Sequence, residues 1–262
     1  MRRLSWLLTL ALLIASGGMH AGPPTPVIVE LFTSEGCEDC PPADTLLEKL
    51  IASQPIAGAE IIGLGEHVDY WDRLGWKDRF SSAELTNRQQ SYRTRFATES
   101  IYTPQMVVDG RSEFVGSDAA AAKRAIERSI ASPHGVLKLT VDDQVARSDS
   151  ALHIAVTATD LPRAARGDRA DIVVAITESG LRTDVKRGEN HGRTLAHAPV
   201  VRYLATIGTV PADGSSSASA RADIPLAADW QRDHLVVVAF VQELHGRTIL
   251  GAASIALKNA RP

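Results

Sequence analysis

The hydrophobic patterning of the chain changes near residue 133, and this change restricts the fold more than any other feature of the sequence. From residue 25 to 132, strand-like runs alternate with helix-like runs in the order β-α-β-α-β-β-α. Strands joined through a helix are expected to be parallel, whereas Asp109-Gly110 between the last two strands predicts an antiparallel hairpin. This part therefore predicts a mixed α/β sheet flanked by helices.

Beyond Pro133 the sequence shows strand patterns without a long helix, and turn residues separate the strands. Seven short strands of this kind predict a β-sandwich of immunoglobulin-like size. We therefore expect two domains, residues 22–132 and 135–262. The predicted strands of the second are Val136–Val141, Ala151–Thr159, Asp171–Glu178, Val200–Thr206, Ser217–Ile224, Leu235–Gln242 and Ile249–Leu257.

Cys37 and Cys40 are the two cysteines of the chain, and they lie where the first strand pattern runs into a helix start. A Cys-x-x-Cys pair at a strand-to-helix junction is typical of a thioredoxin-like redox centre. The helix N-terminus favours a thiolate at Cys37, so we expect Cys37 to be the exposed, attacking sulfur and Cys40 the buried, resolving one. Glu38 and Asp39 between them disfavour the thiolate.

Two other roles for the cysteines stay open. A structural disulfide is one alternative, although so short a loop gains little stability through the unfolded chain. Binding of Cu(I) or Zn(II) by the two thiolates and His67 is the other. For a redox role of the cysteine pair we expect neither a cofactor nor a bound metal.

Three segments distant in sequence are expected to meet beside the cysteines. The carboxyl ends of the two parallel strands and the start of the third strand share one edge of the sheet. The Thr103–Pro104 bond, directly before the third strand, is predicted to be cis, which exposes the Thr103 backbone to an incoming peptide. The predicted site residues are Cys37, Cys40 and Pro104 for catalysis, and Thr103, His67, Asp69 and Trp71 for substrate binding.

A long polar segment, Lys186–His197, interrupts the strands of the second half. Its glycines and charges predict an exposed loop between strands. The alternative is that the segment folds over the thiol edge or binds an anion.

The first 21 residues resemble a secretory signal peptide. Arg2 and Arg3 precede an apolar stretch, Leu4–Ile14, which is too short to span a bilayer; a retained anchor is the alternative. Removal of residues 1–21 would change the formal charge from −3 to −5. We therefore expect a periplasmic or secreted protein that neither binds nucleic acid nor stays inserted in a membrane.

Segments 31–44, 67–78, 102–110 and 187–195 together resemble a secreted bacterial family known as domain of unknown function 1223. The resemblance covers residues 25–257. It implies a thioredoxin-like fold and a periplasmic setting, and it carries over onto Cys37, Cys40 and Pro104.

Our first functional hypothesis is a periplasmic thiol–disulfide oxidoreductase or redox-partner protein. Its substrate would be a disulfide or thiol, on a protein or on a small molecule. The second hypothesis is a non-enzymatic protein that binds copper or a partner on a thioredoxin-like scaffold. The third is an inert scaffold with a structural disulfide.

Overall fold

The structure is a computed structural model that describes residues 22–142, 151–211 and 215–257. The predicted signal peptide, residues 1–21, lies outside the described residues. Within the described ranges, none of the helices combines the length and the apolar character needed to cross a membrane.

Residues 25–130 form four strands and three helices. The strands are β1 (Thr25–Thr33), β2 (Ala59–His67), β3 (Gln105–Val108) and β4 (Ser112–Val115), and the helices are α1 (Pro41–Ser53), α2 (Ala83–Phe96) and α3 (Ala119–Ile130). β1 pairs parallel with β2 and antiparallel with β3, which pairs antiparallel with β4. The predicted order of elements in this half is confirmed.

Local chemistry explains where the helices begin. α1 starts with two prolines, whose missing N–H groups cost nothing in a first helical turn. Ser82 accepts a hydrogen bond from the Leu85 N–H at the start of α2. Asp118 caps α3 by accepting a hydrogen bond from the Ala121 N–H.

The second half contains all seven predicted strands and one additional short hairpin. The strands are β5 (Val136–Asp142), β6 (Ala151–Thr159), β7 (Ala170–Glu178), β8 (Arg182–Asp184), β9 (Thr194–Ala196), β10 (Val200–Val210), β11 (Ala218–Pro225), β12 (Leu235–Glu243) and β13 (Ile249–Ala256). β8 and β9 pair with each other. The loop between them, residues 185–193, is called the covering loop below.

One eight-stranded sheet contains strands from both sides of residue 133, in the order β13-β12-β7-β10-β2-β1-β3-β4. The halves join where β10 lies beside β2: Val200 pairs with Gly65, and the Gly65 N–H donates to the Pro199 oxygen at 2.7 Å. The predicted fold class, an α/β thioredoxin-like domain followed by an all-β immunoglobulin-like sandwich, is therefore wrong. The domain bounds 22–132 and 135–262 stay a prediction, which limited proteolysis tests.

The eight-stranded sheet is covered on both faces. β5, β6 and β11 form a separate sheet that packs its apolar side chains against one face of β7 and β12. The opposite face of β7 and β12 packs with β1, β2 and β13. The large sheet curls so that β13 reaches the β3–β4 turn, where the Ile249 N–H donates to the Asp109 oxygen at 2.9 Å. Helices α1 and α3 cover the outer face of β1, β2 and β3.

A buried polar network ties α2 to both halves of the sheet. Arg88 donates to Glu30 Oε1 at 2.6 Å, to Glu66 Oε1 at 3.2 Å and to Gln242 Oε1 at 3.0 Å. Burial disfavours the charged guanidinium, but the Glu30 carboxylate raises the pKa of Arg88 above its ordinary value. The buried carboxylates of Glu30 and Glu66 therefore compensate the charge of Arg88 at the junction of β1, β2 and β12.

Candidate functional site

Cys37 and Cys40 form a disulfide in the turn between β1 and α1, with their Cα atoms 5.5 Å apart. Cys40 is the residue directly before α1, and its carbonyl accepts the Ala43 N–H at 2.9 Å. Cys37 lies one turn earlier, and its N–H donates to the Ser34 oxygen at 3.2 Å. Cys40 is therefore the N-cap residue of α1, and Cys37 precedes the helix by one turn.

The covering loop is hydrogen-bonded to the backbone beside the disulfide, which is buried. Cys37 and Cys40 are each only 1% exposed, so the predicted difference in exposure is absent. The fully buried Asn190 side chain donates to two backbone carbonyl oxygens, that of Cys37 at 2.9 Å and that of Glu35 at 3.0 Å. Its own oxygen accepts from Arg193 at 2.6 Å. A single asparagine thus fixes the covering loop to the backbone on the amino side of the disulfide.

Acidic side chains surround this contact. Glu38 and Asp39, between the cysteines, are exposed. The Glu189 carboxylate lies on the same surface and accepts the Glu38 N–H at 3.3 Å. Most of the segment Lys186–His197 is exposed, as predicted, while the buried Asn190 attaches it to the turn that carries the cysteines.

The start of β3 and the end of β2 lie beside the end of β1, where Phe32 pairs with Gln105 and Thr33 with His67. The Thr103–Pro104 bond is cis, as expected. Trp71 Nε1 donates to Thr103 Oγ1 at 2.8 Å, and the Trp71 Cβ lies 3.1 Å from where a side chain on Gly36 would begin. Trp71 therefore bridges the residue before Cys37 and the residue before Pro104.

Asp69 faces a different part of the molecule. Its carboxylate accepts from Thr86 Oγ1 at 2.6 Å, and its N–H donates to the same oxygen at 3.0 Å. Asp69 thereby holds the end of the β2 segment to α2. Its predicted role in substrate binding stays a prediction.

His67 is the last residue of β2 rather than a loop residue, and it is buried. Its Nδ1 lies 2.6 Å from Asp78 Oδ2, which also accepts the Glu35 N–H at 2.8 Å. Burial disfavours the imidazolium, but Asp78 raises the pKa of His67. Burial also opposes the Asp78 carboxylate, but His67 lowers the pKa of Asp78. The two groups therefore form a buried ion pair, and the predicted contact of His67 with substrate stays a prediction.

Asp44 lies on the buried face of α1, one turn after Cys40. Its carboxylate accepts from Thr33 Oγ1 at 2.8 Å and from the Ala198 N–H at 3.3 Å. Burial raises the pKa of Asp44 above its ordinary value, although nearby His67 opposes the shift.

His197, which follows β9, completes a buried cluster below the disulfide. Its Nε2 lies 3.2 Å from Thr183 Oγ1 and 3.3 Å from Glu35 Oε1. Ligand atoms of His197, Asp44 and His67 all lie within 4.8 Å of one another, and the three residues are buried. Three elements, α1, β2 and the end of β9, thus place nitrogen and oxygen donors at one point.

Residues 28–242 match the family described as "Protein of unknown function (DUF1223)". The chain belongs to this family. A DUF1223 assignment supplies no activity, and no protein of curated function matches the chain.

Among solved structures, the chain is similar to a protein of Agrobacterium tumefaciens whose crystal structure came from a structural genomics consortium. The two share 26% identity over 92% of this chain and 99% of that one, with a TM-score of 0.67. A domain of the outer membrane lipoprotein Omp28 from Porphyromonas gingivalis is matched at 13% identity over 48% of this chain and 89% of that one. Its TM-score of 0.24 supports no inference. The fold of this DUF1223 protein is therefore one that the Agrobacterium protein shares.

The sequence reasoning missed several residues of this DUF1223 site. Asp44 carries a detectable signal, because it is a charged residue three positions before the inward-facing Leu47 of α1. His197 and Asn190 belong to the polar segment that was singled out, but nothing in the pattern distinguishes them from their exposed neighbours. Glu35 and Asp78 lie within recognised motifs, and only the folded chain brings them together.

Proposed function

We propose that this DUF1223 protein is a periplasmic or secreted thiol–disulfide exchange protein that acts through Cys37 and Cys40. The observation that carries the proposal is the disulfide itself, placed directly before α1 where Trp71, Thr103 and Pro104 converge. The helix N-terminus stabilises a thiolate that leaves when the disulfide is attacked.

The exchange consists of two displacements. A thiolate of a dithiol partner attacks Cys37 Sγ, the Cys37–Cys40 bond breaks, and Cys40 leaves as a thiolate that takes up a proton. The second thiolate of the partner then attacks the partner sulfur of the mixed disulfide and releases Cys37. The partner loses two electrons and two protons, which the cysteine pair gains. The reverse sequence reduces a partner disulfide.

The proposed location is supported by the signal-like residues 1–21 and by the disulfide. Disulfides persist in oxidising compartments and are rare in the cytoplasm.

Access to Cys37 requires the covering loop to move. Asn190 holds this loop in place through two hydrogen bonds, each worth roughly 0.5–1.5 kcal/mol. Opening of a surface loop against so few contacts is a local event that does not need global unfolding.

The decisive experiment compares Cys40→Ser with Cys37→Ser, each expressed with its signal segment and trapped in cells by acid quenching. Cys40→Ser should accumulate mixed disulfides with specific partners through Cys37, whereas Cys37→Ser should accumulate far fewer. Equilibration of the folded wild-type protein with glutathione redox buffers supplies an independent measurement. If the disulfide is reduced only when the protein unfolds, it is a structural staple and the proposal is wrong.

A further inference from the structure

The buried cluster below the disulfide has the donor set of a metal site. Two imidazoles and a carboxylate, from His67, His197 and Asp44, present ligand atoms within 4.8 Å of one another. Imidazole nitrogen with carboxylate oxygen is a combination that suits Zn²⁺ and neighbouring first-row divalent ions. The three residues come from separate elements, so the folded chain assembles the donors in advance.

The second ring nitrogen of His67, Nε2, becomes a metal ligand when the binding ion displaces the proton that Nε2 carries in the ion pair with Asp78. Asp78 holds Nδ1 at 2.6 Å, an arrangement that fixes the ring of many metal-binding histidines. Nε2 is buried and has no hydrogen-bond partner among the described residues. A buried polar atom without a partner costs free energy, and a metal ion would supply the missing contact.

The charge around the cluster also favours a cation. The carboxylates of Glu35, Asp44 and Asp78 are all buried. Glu35 accepts from Trp76 Nε1 at 2.6 Å, and Asp44 accepts from Thr33 and a backbone N–H. Asp78 is paired with His67, whereas these donors to Glu35 and Asp44 are neutral, so a bound cation would compensate these two carboxylates.

A small void lies beside the cluster. A cavity of about 10 Å³ is lined by Asp44 and His197, though not by His67. Its volume suits one water or one ion but no larger ligand. Glu35 also lines the cavity; its Oε1 is buried and lacks an aligned hydrogen bond, although His197 Nε2 lies 3.3 Å away.

We propose that Asp44, His67 and His197 bind one divalent transition-metal ion, Zn²⁺ being the expected one. Tetrahedral zinc at bond lengths of about 2.1 Å places its ligand atoms about 3.4 Å apart. The side chains therefore close in by about an ångström when the ion binds. The bound ion would connect α1, β2 and the end of β9, directly below Cys40.

Zinc titration of the oxidised protein by calorimetry tests the site, because the disulfide excludes binding by thiolates. The wild-type protein should bind one equivalent of Zn²⁺ and gain thermal stability. His197→Gln and Asp44→Asn should each lower the affinity by at least tenfold. His153→Gln is the matched control, since His153 pairs with Asp223 on the surface and should leave the titration unchanged.

Cobalt supplies a second measurement that needs no variant. The oxidised wild-type protein loaded with Co²⁺ should show visible absorption typical of nitrogen and oxygen ligands, without a thiolate charge-transfer band. Absence of stoichiometric binding by the oxidised wild type would overturn the proposal. An affinity that His67→Gln and His197→Gln leave intact would do the same. Neither outcome affects disulfide exchange at Cys37, which the glutathione equilibration measures separately.

Discussion

At the scale of single residues, we expect Asn190 to limit access to the disulfide. Asn190→Ala removes both hydrogen bonds to the Glu35 and Cys37 carbonyls. Loss of two such bonds, at about 0.7 kcal/mol each, shifts the loop towards its open form by roughly tenfold. We expect dithiothreitol to reduce the folded variant about ten times faster than the wild type, as measured by thiol release. Arg187→Ala, on the exposed part of the same loop, is the control, and equal rates in all three proteins would show that the loop does not limit access.

Gly110, compared with Gly167, distinguishes the cost of a steric clash from the cost of a positive φ. Its φ is +61°, and a Cβ there would lie 1.9 Å from the Arg247 oxygen of the β12–β13 turn. Gly167 has a φ of +83° but nothing within 4 Å of the same position. Gly110→Ala should therefore lower the free energy of unfolding by about 2 kcal/mol more than Gly167→Ala, since only Gly110 adds a clash. If both variants lose the same free energy of unfolding in urea denaturation, the β3–β4 and β12–β13 turns can move apart at no cost.

At the scale of elements, His134 attaches the segment between α3 and β5 to the β3–β4 turn. Its hydrogen bond to Asp109 raises the pKa of His134, although burial opposes the shift. The stabilisation is therefore complete below the ordinary histidine pKa of about 6.5 and is lost as the pH rises through the higher folded-state value.

His134→Gln should accordingly lower the free energy of unfolding by about 1.5 kcal/mol at pH 5.5, as expected for a hydrogen bond to a charged group. The difference from wild type should shrink by pH 8.5. Urea denaturation at both pH values measures it, with the exposed His191→Gln as control. A loss that does not change with pH would show that the histidine contributes only packing.

The elements themselves could largely be predicted from the sequence, because alternation and turn residues act locally. The Asp109-Gly110 turn illustrates this, since both residues adopt the positive φ that such a hairpin requires. Strand pairing, in contrast, depends on residues that are far apart in the sequence. β7 and β12 are buried along nearly their whole length, as central strands are, but that pattern does not name their neighbours.

At the scale of the whole molecule, Arg88 stabilises the junction of the two halves. Arg88→Met leaves Glu30 and Glu66 buried without their cation and removes the contact with Gln242. Breaking a buried ion pair on one side costs about 3–5 kcal/mol. We expect a loss of that size in chemical denaturation, against less than about 1 kcal/mol for the exposed Arg93→Met on the same helix. Equal losses would show that the network does not support the fold.

The whole fold could not be derived from the sequence for a related reason. The two halves join through the short pairing of β10 with β2, and Val200 carries no signal that distinguishes it from any other strand residue. The candidate site shows the same division. The cysteines, the cis bond at Pro104 and their common edge follow from local patterns and topology, whereas the cover over the disulfide depends on a residue 153 positions beyond Cys37.

The long sequence separation between Cys37 and Asn190 affects when the disulfide can form during synthesis. A chain that emerges with its N-terminus first presents both cysteines long before Asn190 has been synthesised. An oxidant in the surrounding compartment therefore meets the pair in an open state, and the bond can form before its cover exists. In the folded protein the same bond is buried, so the cysteines are accessible during synthesis and inaccessible afterwards.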